Sequence, residues 1–421
     1  MKLLGFRQQL NKFSQKSYLF LAAWVIYLFC QTCFLSAWVV CARWDHPFVK
    51  TLRVGLNVSY ILFGVVILIN LIAGRYQKRG LLFLLLACGI AGIGWFYNRD
   101  TLMLFYMLVM AASYGADGRK VLKSGLIVGG GVVLAIILLA VTGVTENFIF
   151  EPDARARYSM GFGWATFAPG LFFFLFLTYA QFRRQRITWI ELGVAEAIAV
   201  TLYILTDTKM SFGLATVAIL FLAVQKALGY RWNWMELLHR YAGRIVIIAC
   251  VLSIVVPLFH RGRMYEILNG ILSGRLTLSR SAIVTYGFSF FGRPFHLIGW
   301  SIANMAPEGY NYIDCAYLQT LIKFGFLMFV VGIAIYMLGL AKARARKDHF
   351  LFLAFFIIAL YGTTDAILFN YAFNLFPILV FCDEDPLDYI KLPAIPRFWK
   401  KREKKAAGQQ SECDPADHSE G

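Results

Sequence analysis

The chain has 421 residues, of which 59% are hydrophobic, 16% aromatic and only 15% charged, with a mean hydropathy of +0.63. Soluble domains carry charge on about a quarter of their residues, so a soluble domain is excluded and an all-α polytopic membrane protein is expected. The formal charge of +17 calls for no nucleic acid, because cytoplasmic loops of membrane proteins concentrate Lys and Arg and are drawn to anionic membrane lipids.

Windows of about 20 apolar residues predict twelve spans, at 18 to 41, 56 to 73, 81 to 97, 101 to 114, 124 to 143, 166 to 181, 187 to 206, 210 to 225, 245 to 259, 318 to 340, 350 to 368 and 371 to 382. The first is longer than a signal-peptide core and lacks a small-residue cleavage site, so it is expected to be retained. The third, fourth, eighth and twelfth are short enough to be re-entrant or broken. Residues 1 to 259 thus hold nine spans with a smaller loop at 144 to 165, residues 260 to 317 form one large loop with short helices, and 318 to 382 hold the last three spans. Residues 383 to 421 form a tail whose distal part, charged and then polar from Lys400, is expected to be disordered. Of the 41 Lys and Arg, 28 fall in one set of alternate loops and tails, 12 fall in the other, and Lys323 lies within a span. The richer set, which includes both termini, is expected to be cytoplasmic. The eight cysteines lie mostly inside spans without metal-ligand spacing and read as packing residues.

The two long loops are then external. They carry "VTENFIFEPDARARYSMGFGW" (144 to 164) and "ILSGRLTLSRSAIVTYGFSFFGRPFHLIGW" (271 to 300). Ten of the 12 external basic residues are Arg, whereas the 28 cytoplasmic ones divide evenly into 14 Arg and 14 Lys. Topology is indifferent to the choice of cation, but phosphate is not, because the guanidinium fork donates two parallel hydrogen bonds to one oxyanion group. Arg155, Arg157, Arg275, Arg280 and Arg293 are therefore candidate phosphate-binding residues; for Arg43, Arg53 and Arg99, snorkelling to headgroups explains the choice equally well. Apolar residues at 282, 283, 286 and 290 predict an amphipathic helix lying in the outer interface. Asp314 and Tyr317 are expected on one face of the helix that opens the tenth span, although an acidic residue there also suits the helix dipole.

Charges within spans offer a competing class. Glu196, Lys323 and Asp365 could form a proton relay in a transporter, a structural Glu196–Lys323 pair, or the floor of a glycan site. No internal repeat relates the two halves of the chain, which argues against transport.

The run "GRLTL", "AIVTYG", "FG....LIGW", "YNYIDCAYLQTLIKFGF" and "LYGTTDAILFNYAFNLFPILVF" resembles the Wzy-type repeat-unit polymerases of capsular and exopolysaccharides, especially those of Gram-positive bacteria, over about 120 residues. Upstream, "ARYSMGFGWATFAPG" is similar to the family's Arg, Gly-Phe and Pro pattern, and Thr208-Lys209 stands where members often carry a Ser-Arg pair. The resemblance implies a fold like the type C glycosyltransferases and a reaction at the outer face of the plasma membrane, in which a glycan passes from undecaprenyl diphosphate to the next lipid-linked repeat unit. It implies no cofactor and no nucleotide sugar, and a chain-length regulator and a flippase as possible partners. Arg275, His296 and Asp314 become the expected catalytic residues, with His296 or Asp314 as base; Arg155, Arg157, Arg280, Arg293 and Tyr317 become the expected contacts to diphosphate and glycan. No external Asp-X-Asp pair suggests a metal, since Asp383-Glu384-Asp385 falls on the cytoplasmic side. Polysaccharide ligases, a sister family, share the chemistry and remain an alternative.

Overall fold

The computed structural model describes residues 18–42, 45–150, 156–231, 235–259, 262–294, 296–302 and 309–389, and these are mostly helical. Arg43, Arg155 and the expected disordered tail lie outside the described residues. In chain order the helices are α1 (Tyr18–Cys33), α2 (Ala37–Cys41), α3 (Pro47–Ile72), α4 (Lys78–Asn98), α5 (Leu102–Ala112), α6 (Gly118–Val141), α7 (Phe167–Arg183), α8 (Trp189–Thr206), α9 (Lys209–Ala227), α10 (Glu236–Val255), α11 (Arg263–Ile271), α12 (Arg275–Tyr286), α13 (Ala316–Gln319), α14 (Phe326–Ala345) and α15 (His349–Tyr361).

Among the described residues, α3, α4, α6, α8, α9, α10 with its continuation to Leu258, and α14 are long and apolar enough to cross a membrane; α1, α5 and α15 are shorter apolar helices. The chain is thus a multi-pass helical membrane protein. Ile61 and Leu68 on α3, and Ile190 and Ile204 on α8, are more than half exposed, an apolar surface of the kind that lipid covers. Only 22% of the apolar window of α3 and of α10 is buried, against 56% for α14. Hence α14 stands at the centre, with α3 and α10 at the lipid-facing edge.

The loops 144–165 and 260–317 meet at one end of the bundle, the loop end. The turns after α5, α7 and α14 lie at the opposite end, where Arg184 pairs with Asp348 at 2.5 Å and Arg346 with Asp383 at 3.5 Å. The basic-residue distribution makes that opposite end the one expected in the cytoplasm. With the exposed Cys41 replaced by Ser, a membrane-impermeant thiol reagent is expected to label a cysteine at exposed Ser273 in intact cells, and not one at exposed Arg186. Labelling at Arg186 alone would invert the topology.

Several expected spans depart from a plain helix, the first, the tenth and the twelfth most sharply; the eleventh keeps its α-helix only to Tyr361. The first breaks after Cys33, where Ser36 bridges to Phe162 and the Ala37 N–H donates to the Gly161 carbonyl at 2.8 Å. The tenth breaks at Gly325. There the segment 289–293 crosses so closely that a Cβ on Gly325 (φ 89) would stand 2.3 Å from the Gly292 nitrogen, and one on Gly292 (φ 85) 2.2 Å from the Lys323 carbonyl oxygen. Glycine at both positions supplies the left-handed backbone and the room. The N–H groups of Phe326 and Leu327, which open α14 without helical partners, donate to the carbonyls of Ser289 and Phe290 at 2.8 and 3.2 Å.

The twelfth expected span, 371 to 382, contains no α-helix. From Asp365 at the loop end to Asp383 at the opposite end the chain runs through 3-10 turns at Ala366–Phe369 and Phe376–Val380. The side chains of Asp365, Asn370 and Asn374 accept the N–H groups of Ile367, Ala372 and Phe376 two residues on, at 3.3, 2.9 and 3.3 Å. Such turns compete with the helix ladder, and Pro377 removes a donor. Non-helical backbone survives at membrane depth only when other protein groups satisfy it, and here they do. Asn374 Nδ2 donates to the Leu368 carbonyl at 2.8 Å, Tyr336 Oη to the same oxygen at 3.3 Å, and Ser113 Oγ to that of Ile378 at 3.3 Å. Lys342, only 1% exposed, shares its ammonium among the carbonyls of Leu379, Val380, Cys382 and Glu384.

The expected amphipathic helix over 279 to 290 is also corrected. The helix α12 starts earlier, at Arg275, stops before Gly287 (φ 62), and packs Leu276, Ser279 and Ala282 inward. The clear amphipathic stripe is on α11, where Met264, Ile267, Leu268 and Ile271 recur at helical spacing and are all exposed. Asn269 joins the two helices, accepting the Thr277 N–H at 3.2 Å and donating to Thr277 Oγ1 at 3.0 Å.

Candidate functional site

Three local devices assemble the loop end. Asn311 organises the large loop: its Oδ1 accepts the Ile298 N–H at 2.5 Å, and its Nδ2 donates to Tyr286 Oη at 2.9 Å and to the His296 carbonyl at 3.0 Å. The Ile302 N–H donates to the Gly163 carbonyl at 3.1 Å, which ties the large loop to the smaller one and stacks Trp300 on Trp164 at 6.2 Å between ring centroids. The Ala316 N–H donates to the Gly362 carbonyl at 2.9 Å, bringing the segment that carries Asp314 beside the turn that carries Asp365.

Between them lies a cavity of about 430 Å³ whose walls include Arg157, Trp164, Lys209, Arg275, Trp300 and Asp314, with Tyr310, Tyr312, Asp207 and Asp365 also lining it. Arg157 spans the gap between α8 and α9. Its Nε donates to the Thr206 carbonyl at 2.8 Å, its NH2 to Thr208 Oγ1 at 3.2 Å, and its guanidinium lies 5.5 Å from the centre of the Trp164 ring. It therefore caps the carbonyl end of α8, where a cation is favourable, while Lys209 opens α9, where a cation opposes the dipole. An anion in the cavity would relieve that opposition. Arg275 Nε donates to Asp314 Oδ2 at 3.2 Å. This is the one hydrogen bond of its guanidinium among the described residues, and the side chain lines the cavity. Burial holds the Asp314 carboxyl above its ordinary range, and the neighbouring Arg275 offsets only part of that. Asp365 feels the fields of both Arg275 and Asp314, and it accepts the Tyr361 hydroxyl at 2.9 Å, which in turn is 3.0 Å from Ser211 Oγ. Arg275 thus pairs with Asp314 and lies within electrostatic reach of Asp365.

Of the residues singled out in the sequence, the structure brings Arg157, Arg275 and Asp314 together in this cavity, with Asp365 at its floor. The others point elsewhere. Arg280 follows Arg275 by five residues, about 140° round the helix, and does not line the cavity. His296 is exposed, and among the described residues only its backbone carbonyl is engaged. The Arg293 N–H donates to the Lys323 carbonyl at 3.3 Å, on the glycine crossing. Tyr317 is 2% exposed and its hydroxyl donates to the Ala359 carbonyl at 2.7 Å; because α13 starts only at Ala316, Asp314 precedes the helix and shares no face with it. Lys323 pairs with Asp100 at 2.5 Å instead of Glu196, which accepts the Thr216 hydroxyl at 2.8 Å. The sequence reading missed Trp164, Trp300, Tyr310 and Tyr312 as cavity walls. Lys209, noted only as a departure from a pattern, had a signal of its own as a cation at the start of a helix.

No known family model, curated protein or solved structure matches the chain.

Proposed function

We propose that the protein polymerises lipid-diphosphate-linked oligosaccharide repeat units at the outer face of the plasma membrane, with twelve crossings of the chain and both termini in the cytoplasm. One observation carries this reading: a single cavity at the loop end joins Arg157, Lys209 and Arg275 to indole and phenol rings and to a pair of carboxylates. The cations suit a diphosphate, the aromatic faces suit the C–H faces of sugar rings, and a carboxylate suits the proton of an acceptor hydroxyl. In the reaction the acceptor hydroxyl oxygen bonds to the anomeric carbon of the donor glycan while the bond from that carbon to the diphosphate oxygen breaks. Asp314 or Asp365 takes the hydroxyl proton, and the lipid diphosphate leaves as an anion stabilised by fixed cations.

Purified protein supplied only with lipid-linked repeat units is expected to lengthen them, read as a ladder on a gel, with no nucleotide sugar and no ion gradient. A transporter would move the units across a vesicle at constant length, and a ligase would stay idle until offered a different acceptor; either result would retire the polymerase reading. A base must be ionised to act. Since the Asp314 carboxyl titrates above its ordinary 3.8, the rate is expected to fall as pH is lowered through that raised value and to be full above it. In Asp314→Asn this acid limb should disappear together with most of the rate. A limb unchanged in Asp314→Asn would pass the role to Asp365.

A further inference from the structure

A second cavity, of about 250 Å³, adjoins the first and shares Leu272 and Arg275 with it. Its character is different: Leu252 of α10 and Val256 of its continuation form one wall, and Leu268, Leu272 and Leu276 of the α11–α12 corner form the other. It opens sideways. Leu252 lines it while remaining 50% exposed, on the same lipid-facing helix whose Ile248 and Val251 are 56% and 49% exposed. Beside the opening lies α11, whose apolar stripe has no buried residue and would rest in the headgroup interface. An apolar groove that meets the bilayer at one end and a guanidinium at the other fits one kind of molecule, a hydrocarbon chain bearing a phosphate.

From this junction we infer that the groove between α10 and the α11–α12 corner binds the head-proximal part of a single-chain polyprenyl phosphate drawn laterally from the outer leaflet, with its phosphate at Arg275. This rests on the polymerase reading for the side of the membrane and for the larger molecule to which the lipid belongs. The groove is short, about 250 Å³, so it takes the part of a chain nearest the phosphate and leaves the rest in the bilayer. A two-chain phospholipid would have to leave its second chain outside. The glycan then points into the larger cavity, and Arg275, at the boundary, sits where the bond between sugar and phosphate is broken.

The test uses full-length protein in nanodiscs and a polyprenyl phosphate carrying a diazirine on its second isoprene unit. Photolabelling is expected on peptides spanning 249–256 and 268–276. Unlabelled polyprenyl phosphate should displace the probe, whereas phosphatidylglycerol at the same mole fraction, and polyprenol without phosphate, should do so at least about tenfold less well. Leu252→Trp and Leu276→Trp, one from each wall, should each lower labelling at least about tenfold, while Ile248→Trp, on the same helix but outside the groove, should leave it unchanged. The competition arm uses the unaltered protein, so a tryptophan variant that fails to fold does not spare the inference. Labelling elsewhere, wild-type labelling in both folded tryptophan variants, or equal displacement by phosphatidylglycerol would overturn it. Labelling in the groove without elongation of lipid-linked repeat units would sink the polymerase reading and leave the lipid site standing.

Discussion

Arg275→Ala is expected to slow elongation of lipid-linked repeat units on the order of a hundredfold or more, the usual loss when one preorganised charge-stabilising group is removed from a developing anion. The side chain touches both the polar cavity and the apolar groove, and its Nε is already held by Asp314 at 3.2 Å. The fork is thus fixed before substrate arrives, which is what makes such a group effective. Arg275→Lys keeps the charge but cannot span Asp314 and a phosphate together, so it should restore little. Two outcomes have to be separated, because Arg275 could matter only as the counter-ion of Asp314. In that case Arg275→Ala would move the acid limb of Asp314 to higher pH and regain its rate above that limb; a diphosphate contact requires the variant to stay slow at every pH. Arg280→Lys and Arg99→Lys, both outside the cavity, should elongate at the normal rate. Initial rates on a gel, with purified protein and one defined repeat unit, decide among these.

The second large effect concerns folding. Lys342→Met keeps the length and the apolar stem but removes the ammonium that four carbonyls share. Each carbonyl left buried without a partner costs about 1–3 kcal/mol, so the variant is expected to lose most of its folded, monodisperse fraction in size-exclusion chromatography after detergent extraction. Lys347→Met, at an exposed position five residues on, should behave as the unaltered protein does. Normal yield and melting temperature for Lys342→Met would show that the carbonyl cluster is held by other means.

Lys342 also shows where a linear reading reaches its limit. In the sequence it counts as one more positive charge of a cytoplasmic loop, because charge counting cannot distinguish a lysine in water from one turned inward to close a backbone. The helices were legible because each long apolar run satisfies its own backbone, so composition and length suffice to find them. The segment 371–382 is just as apolar, so composition marks it as a span, and only its shortness hints that it could be broken. Its Asn370, Asn374 and Pro377 were visible, but the weight of their turns against the helix depends on partners such as Tyr336 and Ser113, far away in the chain. In the site, the bias toward Arg in two long loops points to Arg157 and Arg275, since topology alone does not favour Arg over Lys. It could not separate Arg275 from Arg280 or Arg293, because helical phase and the glycine crossing decide which guanidinium turns toward the cavity. The aromatic walls were hidden in a chain already 16% aromatic.

The non-helical run from Asp365 to Asp383 bears on how the protein is made. A nascent chain leaves the ribosome from its N-terminal end, and a helix can move into lipid as soon as it is complete because it carries its own hydrogen bonds. This run cannot, since its partners belong to α5, to the turn after it, and to α14. It has to wait until those elements have come together and then slide into the slot they leave. Its first residue, Asp365, is the floor of the cavity, and its last is locked at the far end by Arg346 and by the Gly118 N–H, which donates to Asp383 at 3.0 Å. The site is thus finished only once the run as far as Asp383 has been synthesised, and a chain released before residue 365 has its arginines and Asp314 around a cavity that still lacks Asp365.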